Sequence, residues 1–324
     1  METCSRCLNN ILNPTIVIRN GLCQVCTSYQ ANYSSYNLVE EFGWFLSNRF
    51  EGEPKKCMVG MSGGKDSTVT ADYLKKQYFE VTGFTFETGY YPEHIAPAAK
   101  AVADKLGIPH ETIDIRPYIS KELRLSYIET ARLFDRKLIR EDCLKIYKSN
   151  REHYSAKDKT VMPFLRGCQL CRKAVIPAYY GEAVKRGVQI VVLGMNEWTH
   201  LSRSGKISAI RKLQPTDTSP PVYIVHLPFL LGIKLGNLSK TLDGLGWQPP
   251  RNEDLVETNG NSCCLARATQ KPFFDCLGFH PDTTRLSREI TAGFLNKEDV
   301  KDKLNFGREY NRSVKQVLQE ANII

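Results

Sequence analysis

Residues Met61-Ser62-Gly63-Gly64-Lys65-Asp66-Ser67 gather two adjacent glycines, a lysine, a carboxylate and two hydroxyls into one short stretch. Adjacent glycines let a backbone turn sharply and bring bare N–H groups against a ligand. A helix that starts at such a turn points the positive end of its dipole at the same spot. Lys65 adds a point charge, Ser62 and Ser67 offer hydroxyl donors, and Asp66 can orient Mg²⁺ or a lysine. This chemistry suits the phosphates of a nucleotide. The spacing is neither that of a Walker loop nor that of the dinucleotide-binding Gly-x-Gly-x-x-Gly.

The eleven cysteines supply the second kind of chemistry. Cys4-x-x-Cys7, fifteen residues, and Cys23-x-x-Cys26 form the spacing of a closed tetrathiolate zinc site. Residues 1–36 are too short to own a core, so metal binding is expected to supply their folding energy. Such a closed site is structural rather than catalytic. Cys168-x-x-Cys171 follows Gly167, and Cys263-Cys264 lies far downstream. No further closely spaced Cys or His pair is available to close a second zinc shell. Three thiolates with one open position is an arrangement an iron–sulfur cluster can use for a substrate or an extra sulfide. Two structural ligands plus core cysteines is the alternative reading. Cys57, Cys143 and Cys276 read as core thiols. Near Gly194-Met195-Asn196-Glu197, His200 reads equally as a loop histidine and as a catalytic one.

Positioning these residues requires strands that end, and helices that begin, at one place. Cys57–Met61 reads as a buried strand, and Ser67–Gln77 places Val69, Tyr73 and Leu74 at helical spacing. Strands are predicted at Val81–Phe86, Glu111–Ile115 and Val188–Leu193. Helices are predicted at Ala96–Leu106, Ile119–His153, Lys173–Arg186, Asp282–Thr291 and Lys297–Ala321. The alternation predicts an α/β fold with a doubly wound parallel sheet, in which ligands sit at the carboxyl ends of strands. Three blocks follow: an N-terminal zinc ribbon over 1–36, an α/β domain over 37–235 that carries the phosphate turn, and a C-terminal helical region over 236–324.

Hydrophobic content of 42% suits a real core, and the longest apolar stretch, Val222–Leu235, is interrupted and too short to span a bilayer. No membrane association is expected. The N-terminus lacks the apolar core of a signal peptide, and a cytoplasmic location is the default. In a reducing compartment the cysteines read as metal ligands or reactive thiols rather than disulfides. Net charge is +9, with basic residues thickening over Lys121–Lys159 and over the predicted loop Arg203–Lys212. These patches suit RNA phosphates and solvated faces equally well.

Ser-Gly-Gly-Lys-Asp-Ser resembles the pyrophosphate loop (PP-loop) of the ATP pyrophosphatase superfamily. That resemblance implies that a substrate oxygen is adenylated, pyrophosphate leaves, and a nitrogen or sulfur nucleophile displaces AMP. ATP and Mg²⁺ would lie on Met61–Ser67, with Lys65 and Asp66 acting on the phosphates, Gly194 near the α-phosphate or ribose, and adenine near Phe84–Phe86. Asn196 also matches the superfamily pattern, whereas Glu197 stands where an Asp is usual. Cys168, Cys171 and Cys263 are similar to the [4Fe–4S] ligands of tRNA 2-thiouridine synthetases, with Cys264 as the alternate third ligand. A sulfur donor, either sulfide or a sulfur-carrier protein, is then implied. The acceptor stays open between tRNA, a small nucleobase and a sugar, and a homodimer is compatible with the sequence.

At both ends the chain instead resembles N-acetyl sugar amidotransferases, through Asn20-Gly21-Leu22-Cys23, Leu286-Ser287-Arg288-Glu289-Ile290-Thr291-Ala292-Gly293 and Lys297-Glu298-Asp299. That resemblance implies amidine formation with ammonia from a partner glutaminase. Cys168 and Cys171 depart from it, and the missing C-terminal zinc pair departs from the thiolases. A non-catalytic zinc-ribbon protein that binds nucleic acid is the reading that leaves the loop without work.

Overall fold

The structure, a computed structural model, describes residues 2–47, 55–200, 205–232, 235–248, 263–301, 304 and 310–324. The chain opens with the two-residue strands β1 (Ile18–Arg19) and β2 (Leu22–Cys23), followed by helices α1 (Gln24–Asn32) and α2 (Ser35–Ser47). Strand and helix then alternate through β3 (Lys56–Gly60), α3 (Lys65–Lys76), β4 (Glu80–Glu87), α4 (Ile95–Leu106) and β5 (His110–Asp114). Three helices follow, α5 (Lys121–Phe134), α6 (Arg140–Glu152) and α7 (Gly167–Lys185). Next come β6 (Ile190–Leu193), the paired β7 (Thr199–His200) and β8 (Ile207–Ser208), then β9 (Ile210–Leu213) and β10 (Val222–His226). Helices α8 (Leu227–Leu231), α9 (Leu235–Gly244), α10 (Cys264–Leu277), α11 (Thr283–Thr291), α12 (Lys297–Lys301) and α13 (Val314–Glu320) complete the order.

Six strands form the central sheet in the order β5-β4-β3-β6-β10-β9, parallel throughout except for the antiparallel edge strand β9. Side-chain alternation along the central strands shows why helices cover both faces. Cys57 and Val59 enter one core with Ile190 and Val192, while Met58 enters the other with Val191 and Leu193. Strands buried on both sides read as continuous apolar runs, as Ile-Val-Val-Leu of β6 does. Each fully buried Val or Ile here contributes about 1.5–3 kcal/mol. From β3 the order grows outward through β4 and β5, and β6 then starts the other half. The carboxyl ends of β3 and β6 therefore flank the switch point, where such sheets bind ligands.

Several boundaries differ from the sequence expectation. The long helix over 119–153 is two helices with residues 135–139 between them. Helix α7 begins at Gly167, so Cys168 and Cys171 lie in its first turns rather than ahead of it. The segment expected as one helix over Lys297–Ala321 carries α12 and α13 with non-helical residues 310–313 before α13; positions 302, 303 and 305–309 lie outside the described residues. The basic stretch expected as a loop contains β8 and β9, although Arg203 lies outside the described residues. Among the described residues no helix is long and apolar enough to cross a membrane.

Candidate active site

The phosphate loop occupies the turn from β3 into α3. Gly63 takes a left-handed φ of +74°, and a methyl there would lie 2.6 Å from the Ala98 Cβ, so only glycine fits. Ser62 N–H donates to the Ser67 hydroxyl at 3.2 Å, Gly64 N–H donates to the Ser62 hydroxyl at 3.3 Å, and the Ser67 hydroxyl donates to the Gly64 carbonyl at 3.0 Å. Helix α3 starts behind Gly64 with no side-chain cap, leaving its dipole for a ligand. Trp247, which packs beside α9 and the Val69 face of α3, closes the turn by donating Nε1–H to the Gly63 carbonyl at 2.9 Å. Met61 is buried at the strand end, where its carbonyl accepts from Thr85 Oγ1 at 2.7 Å.

Lys65 Nζ sits 2.8 Å from Asp66 Oδ2, with both side chains largely buried. The other carboxylate oxygen, Asp66 Oδ1, is buried without a hydrogen-bond partner. An unused hard oxygen beside a phosphate turn fits a Mg²⁺ ligand. Gly194, at the end of β6, stands directly against the loop, because a methyl there would lie 2.7 Å from Ser67 N and Cα. Phe86 does not face the loop: its ring packs in the sheet core 5.0 Å from Tyr179, leaving only its backbone for a base.

A cavity of about 450 Å³ runs past this loop, and Lys65, Asp66, Gly194, Cys168, Cys171 and Cys263 all line it. The cysteines reach one cavity because α7 and α10 begin side by side. A methyl on Gly167 would lie 2.7 Å from Leu265 Cγ, so glycine alone permits that approach. Cys263 is the N-cap of α10, its sulfur accepting from Ala266 N–H at 3.4 Å. Cys264 does not line the cavity; its N–H donates to the Tyr90 carbonyl, and its side chain lies beside Tyr310.

Burial, then the charge of Asp282, pushes the Cys168 thiol up to about 12. Burial also raises Cys171, against hydrogen bonds from Tyr90 and Tyr91. Cys263 is raised further by burial and by the other two thiols. Three thiols that oppose each other's ionisation are poor nucleophiles alone. Among the described residues only Cys4, Cys7, Cys23 and Cys26 bring their ligand atoms within 4.8 Å of one another, so these three thiols share a cavity without forming such a group. Cys57 is a buried strand residue, and Cys143 and Cys276 pack together in a separate apolar cluster, so none of the three lines the cavity.

Features that sequence spacing did not place complete the cavity. Arg172 from α7, Arg211 from β9 and Arg288 from α11 surround Glu197, which lies 3.9 Å from Arg172 and 3.6 Å from Arg288. Burial pushes the Glu197 carboxyl up, but His226 and the three guanidiniums outweigh it and hold it below the usual range. Glu197 is thus engaged with arginines, unlike a magnesium ligand. Asn196 Oδ1 lines the same cavity, buried and unpartnered. His200 lies in β7, and its side chain falls outside the described residues.

Away from the cavity, the sulfurs of Cys4, Cys7, Cys23 and Cys26 are fully buried and lie within 4.8 Å of one another. The Cys4–Cys26 and Cys7–Cys23 separations are 3.8 and 3.5 Å. A tetrahedron with Zn–S bonds of about 2.3 Å has edges near ~3.8 Å, so the donor set fits zinc. The cluster shares its apolar surroundings with Leu286, Ile290 and Val300, and Cys26 Sγ meets Thr291 Oγ1 at 3.1 Å.

Residues 55–136 match a family of unknown function, DUF7411. A tRNA-specific 2-thiouridylase, MnmA, from Sulfurimonas denitrificans is 40% identical over 80 residues, 24% of this chain and 23% of that protein. MnmA 2 from Fusobacterium nucleatum is 44% identical over 68 residues, 19% of this chain and 18% of its own. The chain thus spans about a quarter or less of the length of these relatives. The NMN synthetase structure from Francisella tularensis aligns over 89% of this chain and 93% of that one, with TM-score 0.35 and 13% identity.

Proposed function

We propose that this chain, a PP-loop superfamily protein, is an ATP-dependent enzyme that adenylates a carbonyl oxygen and exchanges that oxygen for sulfur. One observation carries the reading: Lys65 and Asp66 of the phosphate loop line the same cavity as the three thiols of Cys168, Cys171 and Cys263. ATP would place its phosphates on residues 62–67 against Lys65 and the loop N–H groups. These groups stabilise charge as pyrophosphate departs. Asp66 Oδ1 would hold Mg²⁺, and Gly194 leaves room for the α-phosphate at Ser67. Cys168, Cys171 and Cys263 would hold a [4Fe–4S] cluster, which when bound supplies a site for sulfide. Tyr91, whose hydroxyl lies 3.9 Å from Cys171 Sγ, orients that ligand. The sulfur donor is then sulfide or a sulfur carrier, and the MnmA similarity makes tRNA a candidate acceptor.

A second reading, amidotransfer with ammonia, draws on a specific contact. The segments around Cys23 and Leu286–Gly293 pack together at one cluster, as the two ends of one functional unit would. The two readings part at Cys168. With acceptor, ATP and either sulfide or ammonium, Cys168→Ala should lose thiolated product while still releasing pyrophosphate. Undiminished product from ammonium in Cys168→Ala would replace the sulfur reading with the amidine one.

A further inference from the structure

Three guanidiniums facing one carboxylate leave an excess of about two positive charges beside Glu197. The contacts of 3.9 and 3.6 Å to Arg172 and Arg288 are ionic and longer than a good hydrogen bond, so the forks are not used up. Burial is the largest influence on Arg211 and Arg288, and Arg172 repels both, which a bound anion would relieve. Buried polar atoms at this place also lack partners: Arg288 Nε, Asn196 Oδ1 and His226 Nδ1, with His226 only 4% exposed. Native interiors pair such atoms, and a cluster of them on one cavity wall points to a ligand.

We propose that Arg172, Arg211 and Arg288 form a second anion subsite, distinct from the Ser62–Ser67 loop, that seats the phosphate of a phosphorylated acceptor. It rests on the adenylation reading only in assigning the anion to the acceptor. A phosphate carries about −1.5 to −2 charges at neutral pH, which matches the excess where a single carboxylate does not. Planar guanidinium forks bind phosphate oxygens in pairs. Glu197 draws Arg172 and Arg288 to one centre, Arg211 lines the same cavity, and Asn196 and His226 are left to bond a hydroxyl or amide of the same molecule. Arg285 is already matched by Glu289 at 2.6 Å and is not needed.

Inorganic phosphate titrated by ³¹P NMR and thermal shift tests this, using wild type, Lys65→Ala and Arg211→Gln. Phosphate affinity should stay within about twofold in Lys65→Ala and fall at least tenfold in Arg211→Gln, with Arg211→Lys between them and all melts cooperative. ATP binding should show the opposite pattern. Phosphate binding lost in Lys65→Ala but kept in Arg211→Gln, or no saturable phosphate site in either, would overturn the subsite. Loss of ATP binding in none of the variants would instead count against the loop reading alone. Competition then separates sources: displacement by uridine 5′-monophosphate assigns a small nucleotide, and displacement by an RNA stem-loop alone assigns an RNA phosphate. Displacement by neither refutes a phosphate-ester acceptor.

Discussion

Gly194 and Ser67 touch across the switch point: a methyl on Gly194 would lie 2.7 Å from the Ser67 backbone. The strand end therefore supports the first turn of α3 with no room for a side chain. Gly194→Ala must push that turn, and overpacking of this kind costs about 1–3 kcal/mol. The larger effect should fall on ATP, because displaced N–H groups miss the phosphates. A rise in the ATP Kd of at least about tenfold, ~1.4 kcal/mol, with a cooperative melt retained is expected from calorimetry. Wild-type ATP affinity in Gly194→Ala would mean that this contact is structural only.

Losing a metal from the four-cysteine site should unfasten more than the N-terminus. The Cys7 and Cys26 thiols are raised and Cys23 is lowered, chiefly through hydrogen bonds among the sulfurs, a proton-sharing that a dication replaces. The same cluster packs on Leu286 and Ile290 of α11, and Arg6 donates to the Thr291 carbonyl at 2.7 Å. Helix α11 also carries Arg288 into the cavity. Cys23→Ser is expected to abolish bound zinc, measured by mass spectrometry, and to lower stability by several kcal/mol, since such sites contribute ~10 kcal/mol or more. An unchanged melting temperature in the zinc-free variant would refute a structural role.

His280, just ahead of the same helix, sets an acid limit on stability. Its Nδ1 accepts the Asp282 backbone N–H at 3.1 Å, and its Nε2 lies against the Gln270 side-chain amide. Burial is the largest influence and lowers the ring from 6.5 to about 4. The folded state thus disfavours the charged form. Above pH 6.5 the group is neutral in both states and costs nothing; as pH falls from 6.5 towards 4 the unfolded chain takes up the proton first, and stability drops. The loss at the bottom of this window is on the order of 3 kcal/mol. Urea denaturation at stepped pH should show a shallower fall for His280→Asn than for wild type. Parallel curves would assign the acid sensitivity elsewhere.

The sheet was legible because its cause is local: Ile190–Leu193 is apolar at every position, and the loop glycines sit between a strand and a helix. What escaped had distant causes. The sequence predicts the helix only from Lys173, yet it starts at Gly167, whose close neighbour Leu265 lies almost a hundred residues away. Arg211 reads as part of a basic loop, because only pairing with β10 makes a strand of Ile210–Leu213. The break at 135–139 carries no Gly or Pro, so residues such as Asp135, Arg136 and Lys137 continue a helical pattern without interruption. Trp247 gives no sequence sign of its bond to Gly63.

Adjacent cysteines offer the sharpest test of the thiol wall. Cys263 caps α10 and faces the cavity with Cys168 and Cys171, whereas Cys264 turns to Tyr310. Replacing either with alanine removes one sulfur from nearly the same place, so their difference isolates orientation. Anaerobically purified Cys263→Ala should lose most of its iron and its broad absorbance near ~400 nm. Its product formation should drop by more than the ~10–100-fold typical of losing an outer-shell partner. Cys264→Ala should keep both iron and turnover. Acceptor-dependent pyrophosphate release should survive in both, because the Ser62–Ser67 loop is untouched. Iron lost from Cys264→Ala but kept in Cys263→Ala would exchange the two roles. Iron absent from wild type would leave the loop as the working half of the cavity and make ammonia the favoured nucleophile.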